Sequence, residues 1–332
     1  MSVRLSKRLV HLGVAFGCAF SALALAGFVQ IRFTPGSSGF KWPTTTVRFV
    51  LQEKGSDDVP DKSDESALRL AFRTWEQVPD SFVVFSEDTF ADASRTDYAA
   101  TDIHLIMWDE DGSSGLFPPG SNVIALTPLL ASTSDGTILD GDIVFNGELR
   151  FTTDPIQDAS RFDVQAVATH EIGHLIGLDH SGGTFSTMFA SIPSGSTFNR
   201  SLEEDDAAGA AVLYGVGAST RGVVQGTITI VGGGSVAYAQ VIAVNRVTGA
   251  VGGEALSNNS GKYLIAGLLP GTYDLYAEPV NGPYGLADTI GFKNESSTGF
   301  KTTFNAGNPV VVSAGQSQGA SWAVPIGAPT LN

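Results

Sequence analysis

The period of the apolar positions changes several times along the chain, and each change marks an element. Residues 42–51 are rich in β-branched side chains and predict a first strand. Residues 55–63 are polar and acidic, hence a loop. Leu68, Ala71, Phe72, Trp75 and Val78 then recur at helical spacing, so a helix lays one face on a sheet. Ser63 is the expected cap of that helix, with Asp64 and Glu65 complementing the dipole in its first turn. Residues 82–85 and 102–108 predict two more strands, the second apolar enough to be interior. Residues 123–128 predict a short strand ended by Pro128. Val164, Ala168, Ile172 and Leu175 form the stripe of a helix over 162–176. Ser201-Leu202-Glu203-Glu204 has the form of a capping box that opens a last helix, and Gly215 stops it. Beyond Arg221 the period falls to two over 223–230 and 236–244, with glycine-rich turns between. Helices mixed with strands, then strands alone, predict two domains in 332 residues.

The helix over 162–176 carries the chemistry. It runs into His170-Glu171-Ile172-Gly173-His174-Leu175-Ile176-Gly177-Leu178-Asp179-His180, with three of the five histidines in the chain. His170 and His174 are four residues apart, so both imidazoles share one helix face and can reach one ion. Glu171 lies about 100° round the helix, which suits a base beside a metal-activated water better than a ligand. Gly177 can adopt the left-handed conformation that ends a helix and turns the chain back, bringing His180 up as a third ligand. Three protein nitrogens leave one position open, the arrangement of a catalytic zinc rather than a structural one.

The extended pattern, with its glycine and third histidine at fixed offsets, resembles the signature of metzincin metallopeptidases. Those enzymes carry a methionine turn downstream, and Ser186-Thr187-Met188-Phe189-Ala190 stands where it should be. Ser181 after the third histidine and the run Leu202-Glu203-Glu204-Asp205-Asp206 to Gly215 resemble the matrixin branch. The resemblance implies an α+β catalytic domain over 41–216, a mixed twisted sheet plus three helices, holding one catalytic zinc on His170, His174 and His180. It implies Glu171 as general base and Met188 as a structural floor under the metal. It places 123–128 at the sheet edge, where an extended peptide adds as a strand. Residues 189–199 would wall the pocket just past the scissile bond, and Asp205 and Asp206 would be structural anchors.

Asp135, Asp140 and Asp142, on glycine turns before 143–146, offer hard oxygens of a calcium type. The matching matrixin segment binds calcium and a second, structural zinc. Here Val144 replaces a zinc-binding histidine and Asn146 an aspartate, and beyond the N-terminal apolar stretch only His104 is spare, so no structural zinc is expected.

Composition adds three constraints. The formal net charge of −15 argues against nucleic acid, since no basic patch is available for phosphates. Arg4, Lys7 and Arg8, an apolar stretch over 9–25 and Ala24-Leu25-Ala26 have the form of an export signal over 1–26 with a short lead-in over 27–40. An uncleaved anchor is the rival, because apolar character continues through Val29 and Ile31, and only then would the chain attach to a membrane. The one cysteine, Cys18, lies in that segment, so the exported chain is expected to lack disulfides and the propeptide cysteine that keeps vertebrate matrixins latent. A secreted, bacterial-type, monomeric protein fits these features.

Residues 261–275, with Gly261-Lys262-Tyr263-Leu264-Ile265-Ala266-Gly267-Leu268-Leu269-Pro270-Gly271-Thr272-Tyr273, resemble the strand-turn-strand hairpin of carboxypeptidase regulatory-like (transthyretin-like) β-sandwiches. This predicts an all-β sandwich over 221–326, an accessory module with no histidine or cysteine of its own. The expected function is a zinc endopeptidase acting on extracellular proteins. The rival from the binding class is a surface adhesion or scaffold protein with a vestigial metal site, against which the intact Glu171 argues.

Overall fold

A computed structural model describes residues 28–215, 220–280, 285–305 and 309–327. The expected export signal over 1–26 lies outside the described residues.

The first region is built on a five-stranded sheet in the order Val84–Glu87, Thr46–Leu51, Leu105–Asp109, Ile143–Asn146, Ala125–Leu126. The first three pairings are parallel and the last is antiparallel, so 125–126 is an edge, as expected. The interior strand 105–109 is buried throughout, which is why its sequence does not alternate. Helix α1 (Ser63–Glu76) and helix α2 (Val164–Leu175) pack together on this sheet. Phe72 stacks on Phe49 at 3.9 Å, and Trp75, fully buried, donates its indole N–H to the Thr169 carbonyl at 2.8 Å.

Helix ends differ from the sequence expectation. Ser63 does not cap α1; it is the first helical residue, and Lys62 occupies the cap in a left-handed conformation. The Ser63 N–H instead donates to Asp61 at 3.1 Å, an Asx turn that enters the helix without a capping side chain. Helix α3 runs Glu204–Tyr214, and Ser201 is not its cap. A short turn over Phe198–Arg200 takes up residue 201, and the box moves two residues on, where the Asp206 carboxylate accepts from the Glu203 N–H at 3.0 Å.

The lead-in is part of the core rather than a tether. Phe28, Ile31 and Phe40 are buried in the same cluster as α2, and Ile31 donates its N–H to Gly177 at 2.9 Å. The apolar character at Val29 and Ile31 therefore has an intramolecular partner. Among the described residues no helix is long and apolar enough to cross a membrane.

From residue 221 the chain is strand-rich. Gly222–Ile230 pairs with Lys262–Leu268 and, in parallel, with Ser317–Gly319 and Trp322–Val324. A second sheet joins Val251–Leu256, Ala239–Asn245 and Gly271–Pro279, the last flanked by Thr303–Phe304 and Val310–Val312. Val224, Ile265, Val241 and Leu275, from both sheets, share one buried cluster. The expected hairpin at 261–275 is corrected by this pairing: its strands lie in different sheets. Gly267, at φ +80°, and the following Leu269-Pro270 carry the chain from one sheet to the other.

Helix α3 packs on the strands 251–256 and 262–268 and so joins the two regions. Glu254, 1% exposed, sits in this seam, accepting from the Gly182 N–H at 3.1 Å and the Gln240 amide at 2.7 Å. Burial pushes the carboxyls of Asp205 and Glu254 upward, and neighbouring negative charge adds to the effect.

Candidate metal centre

Helix α2 is fixed at both ends by side chains from elsewhere. At its start Asp163 accepts from the Ala166 N–H at 2.8 Å and is gripped by Arg200. At its end the carbonyls left without helical partners are taken by distant donors: Leu175 by the Trp42 indole and Ile176 by the Tyr214 hydroxyl, both at 2.8 Å. Gly177 then turns the chain at φ +101°. Its N–H donates to His174 and that of Leu178 to Gly173, both at 2.9 Å, the two bonds of a Schellman motif. The turn lies so close to Phe40 that a Cβ on Gly177 would stand 2.2 Å from the Phe40 carbonyl oxygen. His180 swings back beside the helix as a result.

The three histidines converge, and no other group of three metal-ligating side chains does so among the described residues. Each imidazole presents its Nδ1 to a carbonyl: His170 to Thr187 at 2.7 Å, His174 to Leu178 at 2.7 Å, His180 to Asp288 at 2.5 Å. A carbonyl can only accept, so Nδ1 carries the proton and Nε2 keeps its lone pair. His174 Nε2 and His180 Nε2 face each other at 3.2 Å. Two lone pairs at that distance repel unless a cation lies between them. Two nitrogens each ~2.0–2.1 Å from a zinc at the tetrahedral angle are about 3.3 Å apart, so the spacing fits that ion. Burial holds the His170 ring down to about 3 and lowers His174 as well, which keeps both neutral, the form that binds metal.

Glu171 is 5% exposed and lies beside the cluster without joining it. Burial pushes its carboxyl up to about 7, partly offset by the Thr127 hydroxyl, which donates to Oε2 at 2.6 Å. Thr127 follows directly on the edge strand 125–126, so the strand expected to align a peptide also touches the expected base.

Met188 is buried under the site, and a Cβ on Gly173 would meet its sulfur at 2.2 Å. The glycine within the histidine motif is therefore the seat of the methionine. Asp206 clasps the turn from below, accepting from the Ser186 hydroxyl at 2.7 Å and the Thr187 N–H at 2.9 Å.

The three expected calcium ligands form no common cluster among the described residues, although Asp140 and Asp142 line one cavity. Asp135 accepts from the Thr137 N–H, Asp140 pairs with His104 at 2.8 Å, and Asp142 accepts from Leu105 at 2.7 Å. Desolvation raises the Asp142 carboxyl to about 9, so it is a neutral acid at ordinary pH. Val144 is fully buried in the sheet, and the Asn146 amide holds the edge by donating to the Val123 carbonyl at 2.9 Å.

Sequence reasoning identified the motif side chains. It missed Thr127 as the partner of Glu171, and the carbonyls of Thr187, Leu178 and Asp288 that orient the rings. A hydroxyl near an edge strand was visible as a residue type, but backbone carbonyls carry no signature in a sequence.

Residues 41–215, more than half of the chain, match the family model described as matrixin. The chain belongs to the matrixin family. Its relatives include "Metalloendoproteinase 1" of Glycine max, 32% identical over 157 residues, which are 47% of this chain and 47% of the relative. "Karilysin" of Tannerella forsythia is 26% identical over 185 residues, 55% of this chain and 35% of the relative. "Stromelysin-1" of Mus musculus is 29% identical over 182 residues, 54% of this chain and 34% of the relative. The matched part thus spans about a third to a half of these relatives' length. Family membership implies zinc, and the histidine triad is a site that fits it.

Proposed function

We propose that this matrixin is an exported zinc metalloendopeptidase that hydrolyses peptide bonds of extracellular proteins. The observation that carries the proposal is the convergence of three Nε2 lone pairs beside a buried carboxylate. His170, His174 and His180 would hold zinc, which would supply Lewis acidity to a scissile carbonyl and to water. Glu171 receives the water proton on its carboxylate and passes it to the leaving amine. Its position suits a base, since it is withheld from the metal ring, shielded from solvent and held by one donor, Thr127. An extended peptide adds to the free side of the edge strand 125–126, where backbone groups are unpaired. Met188 and Asp206 keep the floor and the third side of the site rigid.

The domain division belongs to the same proposal: catalytic residues 41–216, an accessory β-sandwich over 221–326, and an export signal over 1–26. The rival scaffold role is not favoured, because a vestigial site would not need Glu171 withheld as a base. Calcium has no part in the proposal, since Asp135, Asp140 and Asp142 each have a local partner.

The test is turnover of an unfolded protein substrate, with zinc quantified on the same sample and phenanthroline as chelator. Near-stoichiometric zinc with chelator-sensitive cleavage is expected. A chain that binds no zinc would end the proposal.

A further inference from the structure

The two helix-borne ligands find their orienting carbonyls close by, His170 at Thr187 and His174 at Leu178. His180 does not. Its Nδ1 meets the carbonyl of Asp288, 108 residues downstream in the strand-rich region. A second link lies beside the first. Asp179, 1% exposed, accepts from the N–H of His180 through Oδ1 and from the N–H of Ile290 through Oδ2, both at 2.9 Å. One buried carboxylate thus ties the backbone of the third ligand to the backbone of the downstream segment.

That segment is held in shape and in place. The Asp288 carboxylate closes the turn over Leu286–Asp288 by accepting from the Gly285 N–H at 2.6 Å, and the Thr289 hydroxyl donates to Leu286 at 2.8 Å. Leu286 and Phe292 are buried with Tyr238 and Leu256 of the same region and with Val29 of the lead-in. Phe189, next to Met188, packs on this cluster.

We propose that the strand-rich region is a working part of the metal centre, with Asp288 and Asp179 as positioning residues for His180. The inference rests on the zinc reading of the triad. The carbonyl of Asp288 fixes which nitrogen of His180 is protonated and how the ring is turned. Outer partners of this kind are worth about 10–100-fold in metal affinity. Coupling is reciprocal, so zinc should in turn hold the segment down.

The test measures zinc affinity of the full chain by chelator competition. Thr289→Pro removes the Thr289 N–H bond to Leu286 and disfavours the helical conformation at Asp288, so it swings the carbonyl away. Affinity about 10–100-fold below native is expected, with a changed Co2+ absorption spectrum as the sign of altered coordination. Val247→Ser, at an exposed turn of the same region, should match the native chain. Affinity within about twofold of native for a folded Thr289→Pro chain overturns the inference. If that variant does not fold, amide exchange on the native chain decides: zinc should slow exchange at Ile290, and unchanged exchange there overturns the inference. Zinc binding by the native chain is read separately and tests the peptidase proposal itself.

Discussion

At the scale of single residues, Glu171 and Thr127 carry the proposed chemistry. Glu171→Gln keeps volume and removes the base, so zinc content should stay native while hydrolysis falls by about 10²–10⁴-fold, read as kcat beside metal analysis. Retained hydrolysis would remove Glu171 from its role. Thr127→Val deletes the one side-chain donor to that carboxylate among the described residues. A hydrogen bond to a charged group is worth about 1.5–3 kcal/mol, so kcat should drop roughly tenfold or more with zinc unchanged. Gly177 is a backbone matter: φ +101° and a carbonyl oxygen 2.2 Å from the absent Cβ leave no room for a side chain. Gly177→Ala should cost at least about 2 kcal/mol in denaturant unfolding and weaken zinc binding, because the turn that delivers His180 must open.

Among the elements, α2 owes its rigidity to residues outside it. Asp163 is fully buried, caps the helix and pairs with Arg200, whose side chain is 35% exposed. Asp163→Ala loses a cap worth about 1 kcal/mol and leaves a partly buried guanidinium without its partner. A loss of at least about 2 kcal/mol is expected by urea titration, with Asp163→Asn recovering the cap share. An equal loss for both variants would assign the whole effect to the ion pair. The sequence showed α2 through its apolar stripe, and it showed the interior strand 105–109 through its unbroken apolar run. It misplaced the starts of α1 and α3: Ser63 and Ser201 are plausible caps, but the Ser63 N–H is taken by Asp61 with Lys62 at the cap, and the Glu203 N–H is taken by Asp206 with Glu203 at the cap. Local hydrogen-bonding competition of this sort is decided by geometry rather than residue type.

For the whole molecule, the formal charge of −15 counts carboxyls whose ionisation burial opposes, those of Asp142, Asp205 and Glu254 among them. Asp142 has a folded pKa of about 9 against about 3.9 when unfolded. Between those values the native chain keeps a proton that the unfolded chain has lost, so stability from this group falls as pH rises from about 4 to about 9. The slope is at most about 1.4 kcal/mol per pH unit. Asp142→Asn preserves an acceptor for the Leu105 N–H and cannot ionise. Its unfolding midpoint should gain on the native chain steadily from pH 5 to pH 8.5, and a constant difference would show that Asp142 is ionised in the fold. The same scale holds the seam between regions, where α3 lies on the downstream strands and Glu254 reaches Gly182 beside the metal turn.

The sequence alone singled out the three histidines, Glu171 and the left-handed glycine as candidates, because these depend on spacing within one helix and its turn, and it singled out Met188 through the resemblance to the family motif. The change of period at residue 221 was legible for the same local reason, whereas the sheet edge was expected only from the family resemblance. Tertiary structure alone decided that the three calcium-type aspartates form no common cluster among the described residues, that the strands of 261–275 part into two sheets, and that Gly173 seats Met188. It also decided that His180 is oriented from residue 288. Each of these depends on backbone groups or voids brought together across many residues, and every residue type carries the same carbonyl.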